Sequence, residues 1–346
     1  NVTDLITLSG AATTPNDGSS SRSVSGQQNI RVAGGLSGSV HYSLDGALHT
    51  NPYDNLSLPL PFPDALQEFK VETSALSAAQ GGASGAQASA VTKSGTNQIH
   101  GDVFEFLRND LFNATPYFGV VDEKGNKKHG TLKRHQFGGT LGGPVVRNKL
   151  FFFGGFQATT LRADPADNQA FVPTEAMLNG DFTAVSSQAC GRSITLSSAD
   201  RVDGTPTGFT NNRVNPALFN PVALNLVKRL PKPQNDCGLV IYGSPTHQNE
   251  TQTLAKGDWQ LNDKHSIMGR VLFTTLDKPI PFNSFSPDNV LTVNTGGRTE
   301  RVSSDAVGDT WLISPRTVAL ARAVGQRERD SARCLSSLPV RRCGHR

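Results

Sequence analysis

Residues 134–161 read RHQFGGTLGGPVVRNKLFFFGGFQATTL. Small and larger side chains alternate as far as Gly143, residues 144–149 resemble a turn, and an aromatic-rich stretch begins at Leu150. Alternation with a period of two on both sides of a short turn is typical of a β-hairpin. Aromatic rings near the turn are typical of a membrane-spanning β-barrel, whose rim lies at the depth of the lipid headgroups. This stretch therefore predicts antiparallel strands in contact with lipid.

The same pattern recurs along the rest of the chain from His100. Residues 101–108 place Phe104 and Phe106 on one strand face and Val103, Glu105 and Leu107 on the other. Residues 255–261 and 265–274 flank a tight turn, and residues 301–319 show the same strand-like pattern. In 265–274, Ile267, Gly269, Val271 and Phe273 share one face, whereas Met268, Arg270 and Leu272 share the other. Residues 162–252 are polar and rich in Pro, Asn and Asp, which predicts a long external loop between strands.

Residues 1–97 predict a smaller unit of mixed α/β structure. Residues 2–8 could form one or two helical turns, and residues 40–44 alternate before the turn Asp45-Gly46. The prolines of residues 58–63 exclude regular structure there, and Asp64 is a candidate N-cap for a short helical turn. Residues 81–97 consist mostly of Gly, Ala, Ser and Thr, which suits either a flexible linker or a strand in a crowded lumen.

The net charge of +4 is located at the end of the chain. Residues 321–346 contain seven arginines against Glu328 and Asp330, so this segment carries +5 and residues 1–320 carry −1. A nucleic-acid partner is therefore not expected. The sequence has no apolar run of 18 residues and no signal-peptide pattern at its start, so an exported protein would have its signal peptide upstream of residue 1.

The sequence contains none of the common catalytic or metal-binding spacings, so we expect no catalytic residues, metal or cofactor. The histidines are scattered, and residues 164–168 suit an Asx-rich turn better than a calcium loop. The four cysteines are Cys190, Cys237, Cys334 and Cys343, without a CxxC pair. Cys190 and Cys237 flank a polar, turn-rich region, where either one disulfide or two free thiols is possible.

Several segments of the chain, in the same order, resemble segments of one protein family. Residues 61–73 (PFPDALQEFKVET) resemble the end of the plug in Oar-like TonB-dependent receptors of the outer membrane. Residues 91–101 (VTKSGTNQIHG) resemble the junction from plug to barrel, with Thr92, Lys93, Ser94, Gly95, Thr96, Asn97, His100 and Gly101 as its motif. Residues 104–114, 134–155 and 258–265 resemble the first barrel strand and two later hairpins.

The resemblance implies a mainly β fold, with a plug of mixed α/β structure followed by an incomplete antiparallel transmembrane β-barrel. Residues 1–97 would be the C-terminal part of the plug, and 98–320 the start of the barrel with its external loop at about 162–252. A barrel of this class has about 22 strands, and the residues available suffice for about 6–8. In an exported family, Cys190 and Cys237 are expected to form a disulfide within that loop.

The resemblance also implies a function in the cell outer membrane of a Gram-negative-type bacterium. The intact protein would take up an unknown external ligand, such as a glycan or a peptide, using energy from the TonB-ExbB-ExbD complex. Its other partner would be outer-membrane lipid, its ligand-binding residues are unknown, and it would not be an enzyme. The alternatives are an outer-membrane adhesion or structural protein and, with less support, a soluble carbohydrate-active enzyme.

Residues 321–346 depart from the resemblance. This segment contains many Arg, Ser and Cys residues in place of strand alternation, and an Arg that faces lipid at the bilayer midplane costs about 2–4 kcal/mol. We therefore expect it to lie outside the native fold, as the product of a shifted reading frame. A genuine basic tail that binds an anionic surface is the alternative.

Overall fold

The computed structural model describes residues 2–8, 12–13, 30–36, 38–51, 55–73, 85–115, 117, 127, 130–164, 168–197, 201–202, 205–242, 246–279, 291 and 297–333. These residues form an N-terminal unit before residue 98 and a long antiparallel sheet after it, which we call the wall. The wall is interrupted by an insertion between Asp164 and Thr246. In the described part of the chain, no helix has the length and apolar character needed to cross a membrane.

The described residues of the N-terminal unit include the helical turn α1, a second short turn at residues 63–65 and six strands. Their bounds are α1 Asp4–Thr7, β1 Ala12–Thr13, β2 Arg31–Val32, β3 Val40–Leu44, β4 Ala47–Leu48, β5 Leu66–Glu72 and β6 Ala86–Thr92. Strands β1 and β2 pair with each other, and the other four form a sheet of order β4-β3-β6-β5. Only the β3–β6 pair is parallel. The mixed α/β architecture predicted for this region is therefore present.

Small side chains allow β6 to occupy the centre of this sheet. Ala86, Ala88 and Ala90 are almost fully buried, and apolar side chains of β2 and β3 pack around the first two. Residues 63–65 form the short helical turn that the sequence predicts, but Asp64 lies inside it. The N-cap is Phe62, because the turn begins at Pro63, whose fixed φ suits the first helical position.

The wall consists of seven strands, within the range of six to eight that the sequence predicts. They are β7 His100–Asn109, β8 Thr131–Val146, β9 Leu150–Asp164, β14 Thr246–Gln260, β15 His265–Lys278, β16 Gly297–Ser314 and β17 Thr317–Arg333. Each pairs antiparallel with its neighbours in chain order, so the sheet runs from β7 to β17 as a meander. The two end strands are not paired to each other, so the sheet is an open, incomplete barrel wall.

The connections of the wall differ strongly between its two ends. Residues 147–149, 261–264 and 315–316 make short turns at one end. Residues 110–130, 165–245 and 279–296 separate the strands at the other end. In bacterial outer-membrane barrels the short turns are periplasmic and the long loops are extracellular. We call these the short-turn end and the long-loop end.

The two faces of the wall have different environments because side chains alternate along each strand. The inner face packs against the N-terminal unit, and its buried residues include Phe153, Leu254, Leu272 and Val302. The outer face carries many exposed apolar side chains, which are Phe137, Leu141, Phe156, Trp259, Val271, Phe273, Val307, Trp311 and Ile313. The predicted division of residues 267–273 into two faces is confirmed, and the Ile267 face points outward. Exposed apolar side chains in this number suit contact with lipid.

The insertion is shorter than the predicted loop, because β9 extends to Asp164 and β14 begins at Thr246. It has structure of its own. Strands β10 Asn168–Phe171 and β13 Leu239–Tyr242 pair at its base, and β11 Arg201–Val202 pairs with β12 Thr205–Pro206. Two short helices, α2 Glu175–Leu178 and α3 Pro221–Val227, lie between these strands.

The expectation that residues 321–346 lie outside the fold is wrong for residues 321–333. These residues continue β17, which pairs with β16 over its length. Alternation is present, because Ala319, Ala321 and Ala323 face outward while Arg322, Gln326 and Glu328 lie on the inner face. Arg322 therefore avoids lipid, whereas Arg327 and Arg329 lie on the outer face near the long-loop end. Residues 334–346, with Cys334 and Cys343, lie outside the described residues.

Candidate functional site

The site begins at the two-residue turn between β3 and β4. Asp45 and Gly46 have φ values of 52° and 74°, so both are left-handed, as a type I′ turn requires. The backbone N–H of Asp45 donates to the carbonyl of Ala90 at 2.9 Å. The Asp45 carboxylate accepts from the backbone N–H of Thr92 at 2.8 Å and from its hydroxyl at 2.9 Å. The turn thus holds a buried carboxylate at a fixed position.

Two cations of the wall meet this carboxylate. Lys256 on β14 and Arg270 on β15 are directly opposite each other in the strand register, and both are buried on the inner face. Arg270 Nη1 donates to Asp45 Oδ2 at 3.3 Å, and Lys256 Nζ lies 3.7 Å from Asp45 Oδ1. Like charges in directly opposite positions repel. Asp45 compensates this repulsion, so the wall depends on the N-terminal unit for its charge balance.

A chain of hydrogen bonds extends from this ion cluster. Arg270 Nη2 donates to Ser304 Oγ at 3.0 Å, and Ser304 Oγ lies 3.3 Å from His49 Nδ1. His49 Nε2 donates to the carbonyl of Pro59 at 3.0 Å, since a carbonyl can only accept. This leaves Nδ1 to accept from Ser304. Burial is the main cause that lowers the pKa of His49 to about 4, so its ring is neutral at pH 7.

The predicted junction motif lies between this cluster and the rim of the wall. Thr92 binds Asp45, and its carbonyl accepts from Lys256 Nζ at 3.3 Å. The backbone N–H of Lys93 donates to the carbonyl of Ala65 at 2.9 Å. A Cβ on Gly95 would meet the carbonyl oxygens of Gly143, at 2.6 Å, and Phe152. Glycine is therefore required where the junction motif passes next to strands β8 and β9 of the wall.

The second half of the motif attaches to the β8–β9 turn. Asn97 Nδ2 donates to Asn148 Oδ1 at 2.6 Å, and the backbone N–H of Asn148 donates to Asn97 Oδ1 at 2.8 Å. Thr96 Oγ1 donates to the carbonyl of Gln98 and lies 3.4 Å from His100 Nδ1. Gly101 passes close to the Thr140 carbonyl, and Ser94 is partly buried between these contacts. The motif residues therefore link the two parts of the chain rather than line a cavity.

A second set of contacts joins the N-terminal unit to β17. Asn51 Nδ2 donates to Glu328 Oε2 at 2.8 Å, and Gln326 Nε2 donates to the carbonyl of Leu48. Both partners follow the Asp45-Gly46 turn. This is the physical reason why polar side chains of β17 lie on the inner face.

The insertion contains the predicted cysteine pair. Cys190 and Cys237 form a disulfide with their Cα atoms 5.4 Å apart. A cavity of about 280 Å³ beside it is lined mainly by apolar residues and by Arg192. In the described part of the chain, no group of three or more His, Cys, Asp or Glu side chains has a geometry that could hold a metal ion. Residues 165–167 of the Asx-rich turn lie outside that part.

Sequence reasoning did not single out Asp45, Lys256, Arg270 or His49 as site residues. The sequence does contain a signal for the two cations. Both occupy positions of β14 and β15 at which the alternation of the strand predicts a buried side chain. A charged side chain at such a position needs a partner. Which carboxylate supplies that partner depends on contacts between distant segments, and the pattern of one strand does not contain this information.

Comparisons with known proteins agree with this architecture. Residues 91–336 match the model of the outer membrane beta barrel domain family. Over 141 residues the chain is 30% identical to the TonB-dependent transporter Oar of Myxococcus xanthus, a match that covers 38% of this chain. The chain spans only 13% of the length of that relative.

Solved structures of outer-membrane receptors are also similar to the chain. One is a mutant ferric enterobactin receptor of Pseudomonas aeruginosa, with a TM-score of 0.45 and 11% identity over 88% of this chain and 35% of that one. Another is the siderophore receptor PirA of Acinetobacter baumannii, with a TM-score of 0.44 and 13% identity over 88% and 34% of the two chains. The named relatives are thus one transporter and two receptors. Because the family model covers more than half of its residues, the chain belongs to the outer membrane β-barrel domain family.

Proposed function

We propose that this chain is the plug end and first part of the barrel of a receptor that imports a ligand with energy from the TonB-ExbB-ExbD complex. The N-terminal unit would be the plug, and the wall would be part of the channel that it blocks. The observation that carries this proposal is the charged contact of Asp45 with Lys256 and Arg270 at 3.7 and 3.3 Å.

A contact of this kind suits a plug that must be moved. Two ions that are buried when the plug docks lose their hydration, and they regain it when the plug moves away. The net contribution of the ion pair to stability is therefore small compared with the direct attraction between the two charges. The ion pair fixes the position of the plug because both cations lose their compensation when Asp45 shifts. A contact made only of apolar side chains would resist separation without specifying one position.

The inner wall above this contact supports a polar, hydrogen-bonding ligand such as a glycan or a peptide. Polar side chains border a gap of about 60 Å³ against the proline-rich residues 60–63, and they are Arg134, Gln136, Gln157, Thr159, Glu250 and Gln252. Gln136 Nε2 donates to Gln157 Oε1 at 2.9 Å, and Gln252 Nε2 donates to the carbonyl of Leu60 at 3.1 Å. A gap of this volume holds about two water molecules, so a ligand would have to displace residues 60–63 to pass.

The test does not require the ligand. Ser57 is fully buried in the N-terminal unit, and a Ser57→Cys variant of the full-length protein places a thiol there. Energised transport predicts that a water-soluble maleimide labels this thiol faster in cells with TonB-ExbB-ExbD than in cells without it. Leu36→Cys, at a position that is 81% exposed, should be labelled equally in both, and the wild-type protein gives the background from its own cysteines. Equal protection of Ser57→Cys in both cells would contradict transport and favour an adhesion or structural role.

A further inference from the structure

The insertion contains a cavity of about 280 Å³ beside its disulfide. Phe171 at the end of β10, Met177 on α2 and Val185 after α2 contribute to its lining, together with Cys190 and Cys237. The two cysteines are bonded to each other, so segments that lie 47 positions apart in the chain meet at this cavity. We call it the insertion cavity.

Contacts inside the insertion hold the walls of this cavity in place. The backbone N–H of Val172 donates to the carbonyl of Gly238, the neighbour of Cys237, at 2.8 Å. Gly238 has a φ of 88°, which favours glycine, and a Cβ there would meet the carbonyl oxygen of Val172. The Thr174 hydroxyl accepts from the backbone N–H of Met177 at 3.3 Å and caps α2. The cavity is therefore formed before a ligand arrives, and a preformed site loses little conformational freedom on binding.

The lining is mostly apolar, which determines the part of a ligand that it accepts. Apart from Arg192, the described residues that line the cavity are apolar or contain sulfur, so their side chains offer no strong hydrogen-bonding group. The hydroxyls of a sugar would lose water there without gaining side-chain partners, which costs free energy. A short hydrocarbon group or an aromatic ring gains free energy by leaving water. The cavity thus favours an apolar group.

Arg192 adds a positive charge to this apolar lining. Its side chain is exposed, and in the described part of the chain no carboxylate forms an ion pair with it. Arg213, another exposed arginine of the insertion, instead pairs with Asp181 at 3.1 Å. The exposed residues Glu175 and Asp236 lie close to lining residues in the chain, but neither of them lines the cavity. The guanidinium group is planar, always charged and able to donate two parallel hydrogen bonds to a carboxylate. A carboxylate beside an apolar group therefore matches this lining.

The volume of the cavity limits the size of the ligand. About 280 Å³ equals the space of about nine water molecules and lies near the lower limit for small-molecule sites, which is about 300 Å³. A branched aliphatic side chain or a single aromatic ring suits such a space. A phosphate group is disfavoured, because it carries up to about two negative charges at neutral pH and one arginine balances only one of them.

We propose that the insertion cavity binds a carboxylate that carries a short apolar group, with the carboxylate on Arg192 and the apolar group against Phe171, Met177 and Val185. The C-terminal residue of a peptide and a free carboxylic acid share this chemistry. The inference goes beyond the function proposed above, because a cavity in the insertion can capture such a ligand whether or not the protein transports it.

The test measures the binding of N-acetyl-leucine to the purified full-length protein by isothermal titration calorimetry in neutral detergent, with protein-free micelles as the blank. N-acetyl-leucine amide lacks the charge, N-acetyl-glycine lacks the apolar side chain, and isocaproate lacks the peptide bond. Arg192→Gln removes the proposed partner of the carboxylate. Arg229→Gln changes an exposed arginine of the insertion that does not line the cavity, and it is the matched control.

The wild type and Arg229→Gln should bind N-acetyl-leucine at least tenfold more tightly than Arg192→Gln does, because this variant loses a hydrogen bond between two charged groups. The wild type should bind the amide and N-acetyl-glycine at least tenfold more weakly than N-acetyl-leucine. Tighter binding of N-acetyl-leucine than of isocaproate would support the site and assign it to a peptide C-terminus. The opposite order would support the site and assign it to a free carboxylic acid.

The proposal is wrong if the wild type does not bind N-acetyl-leucine, or if Arg192→Gln binds it equally well. Equal binding of the amide or of N-acetyl-glycine by the wild type would also overturn it. If Arg192→Gln does not fold, Val185→Phe keeps the charge but reduces the volume, and it should weaken binding at least tenfold. Unchanged binding by that variant would place the ligand outside the cavity. Since the measurement needs no TonB complex, its outcome is separate from that of the Ser57→Cys labelling experiment.

Discussion

The side chains of Asp45 and Arg270 meet at 3.3 Å although the two residues lie 225 positions apart in the chain. Both are buried, and Lys256 adds a second cation to the same carboxylate. One residue of the N-terminal unit thus balances two charges that the wall buries on adjacent strands. The position of the N-terminal unit and the electrostatics of the wall are coupled through this contact.

Replacing Asp45 by Asn should release this coupling. The amide occupies nearly the same volume but leaves Lys256 and Arg270 buried without a counter-charge, which costs about 3–5 kcal/mol when one partner of a buried pair is removed. We expect a matching decrease in the free energy of unfolding of the full-length protein, together with faster proteolysis of the N-terminal unit. Glu68→Gln, at an exposed carboxylate of β5, is the control and should change stability by less than about 0.5 kcal/mol.

A second variant tests the cause of this loss. Adding Lys256→Met to Asp45→Asn removes one of the two uncompensated cations, so it should restore part of the lost stability. If Asp45→Asn is as stable as the wild type, the ion cluster does not hold the N-terminal unit in place.

His49 should make docking of the N-terminal unit dependent on pH. Its pKa of about 4 in the folded state is below the ordinary value of 6.5, mainly because its ring is buried. As the pH falls, the unfolded chain therefore binds a proton before the folded chain does. The stabilising contribution is complete above pH 6.5 and is lost progressively as the pH falls from 6.5 towards 4, by about 3 kcal/mol in total.

The measurement is the free energy of unfolding between pH 4 and 8 for the wild type and His49→Gln. Glutamine can still donate to the Pro59 carbonyl but does not titrate, so the variant should have a shallower slope between pH 4 and 6.5. Burial also lowers the pKa of His41, which is present in both proteins and cancels from the difference. Two parallel curves would show that His49 does not cause the dependence.

Local chemistry explains which parts of this structure could be predicted from the sequence. The Asp45-Gly46 turn follows from the tolerance of both residues for positive φ, and the hairpins follow from the alternation that begins at His100. The two faces of β15 follow from the same alternation. Each of these features is specified within about ten neighbouring residues.

Contacts between distant segments explain what the sequence did not predict. The arginines after residue 320 predict a segment outside the fold if their environment is lipid. The inner face of β17 is instead polar, because Leu48 and Asn51 bring hydrogen-bonding groups to Gln326 and Glu328. Arg322 lies on this face, whereas Arg327 and Arg329 lie on the outer face near the long-loop end. The fold of residues 321–333 could therefore be inferred only after the position of the N-terminal unit was known.

Gly95 provides a test of the close approach between the junction motif and the wall. A Cβ at this position would contact the carbonyl oxygens of Gly143 and Phe152, which belong to two paired strands and cannot move apart easily. We expect Gly95→Ala to lower the free energy of unfolding by about 1–3 kcal/mol, as overpacking does. Gly269→Ala is the matched control, because the space around Gly269 is open. Equal stability of the two variants would mean that the junction adjusts without strain.

The disulfide between Cys190 and Cys237 should stabilise the insertion without affecting the wall. The two cysteines are separated by 47 positions, and closing a loop of this length contributes about 4 kcal/mol in the chain-entropy model. Mass spectrometry of the oxidised protein should identify one cross-linked peptide pair containing both residues.

In Cys190→Ser/Cys237→Ser, limited proteolysis should cut residues 191–236 faster than in the wild type, because fewer contacts hold this segment closed. The strands β9 and β14 pair directly with each other over fourteen positions beneath the insertion, so thermal unfolding of the wall should change little. Reduction of the wild type should reproduce the proteolysis of the double variant. Two free thiols in the oxidised protein, or equal proteolysis of the two proteins, would show that the short helices and the β10–β13 pair maintain the insertion without a covalent link.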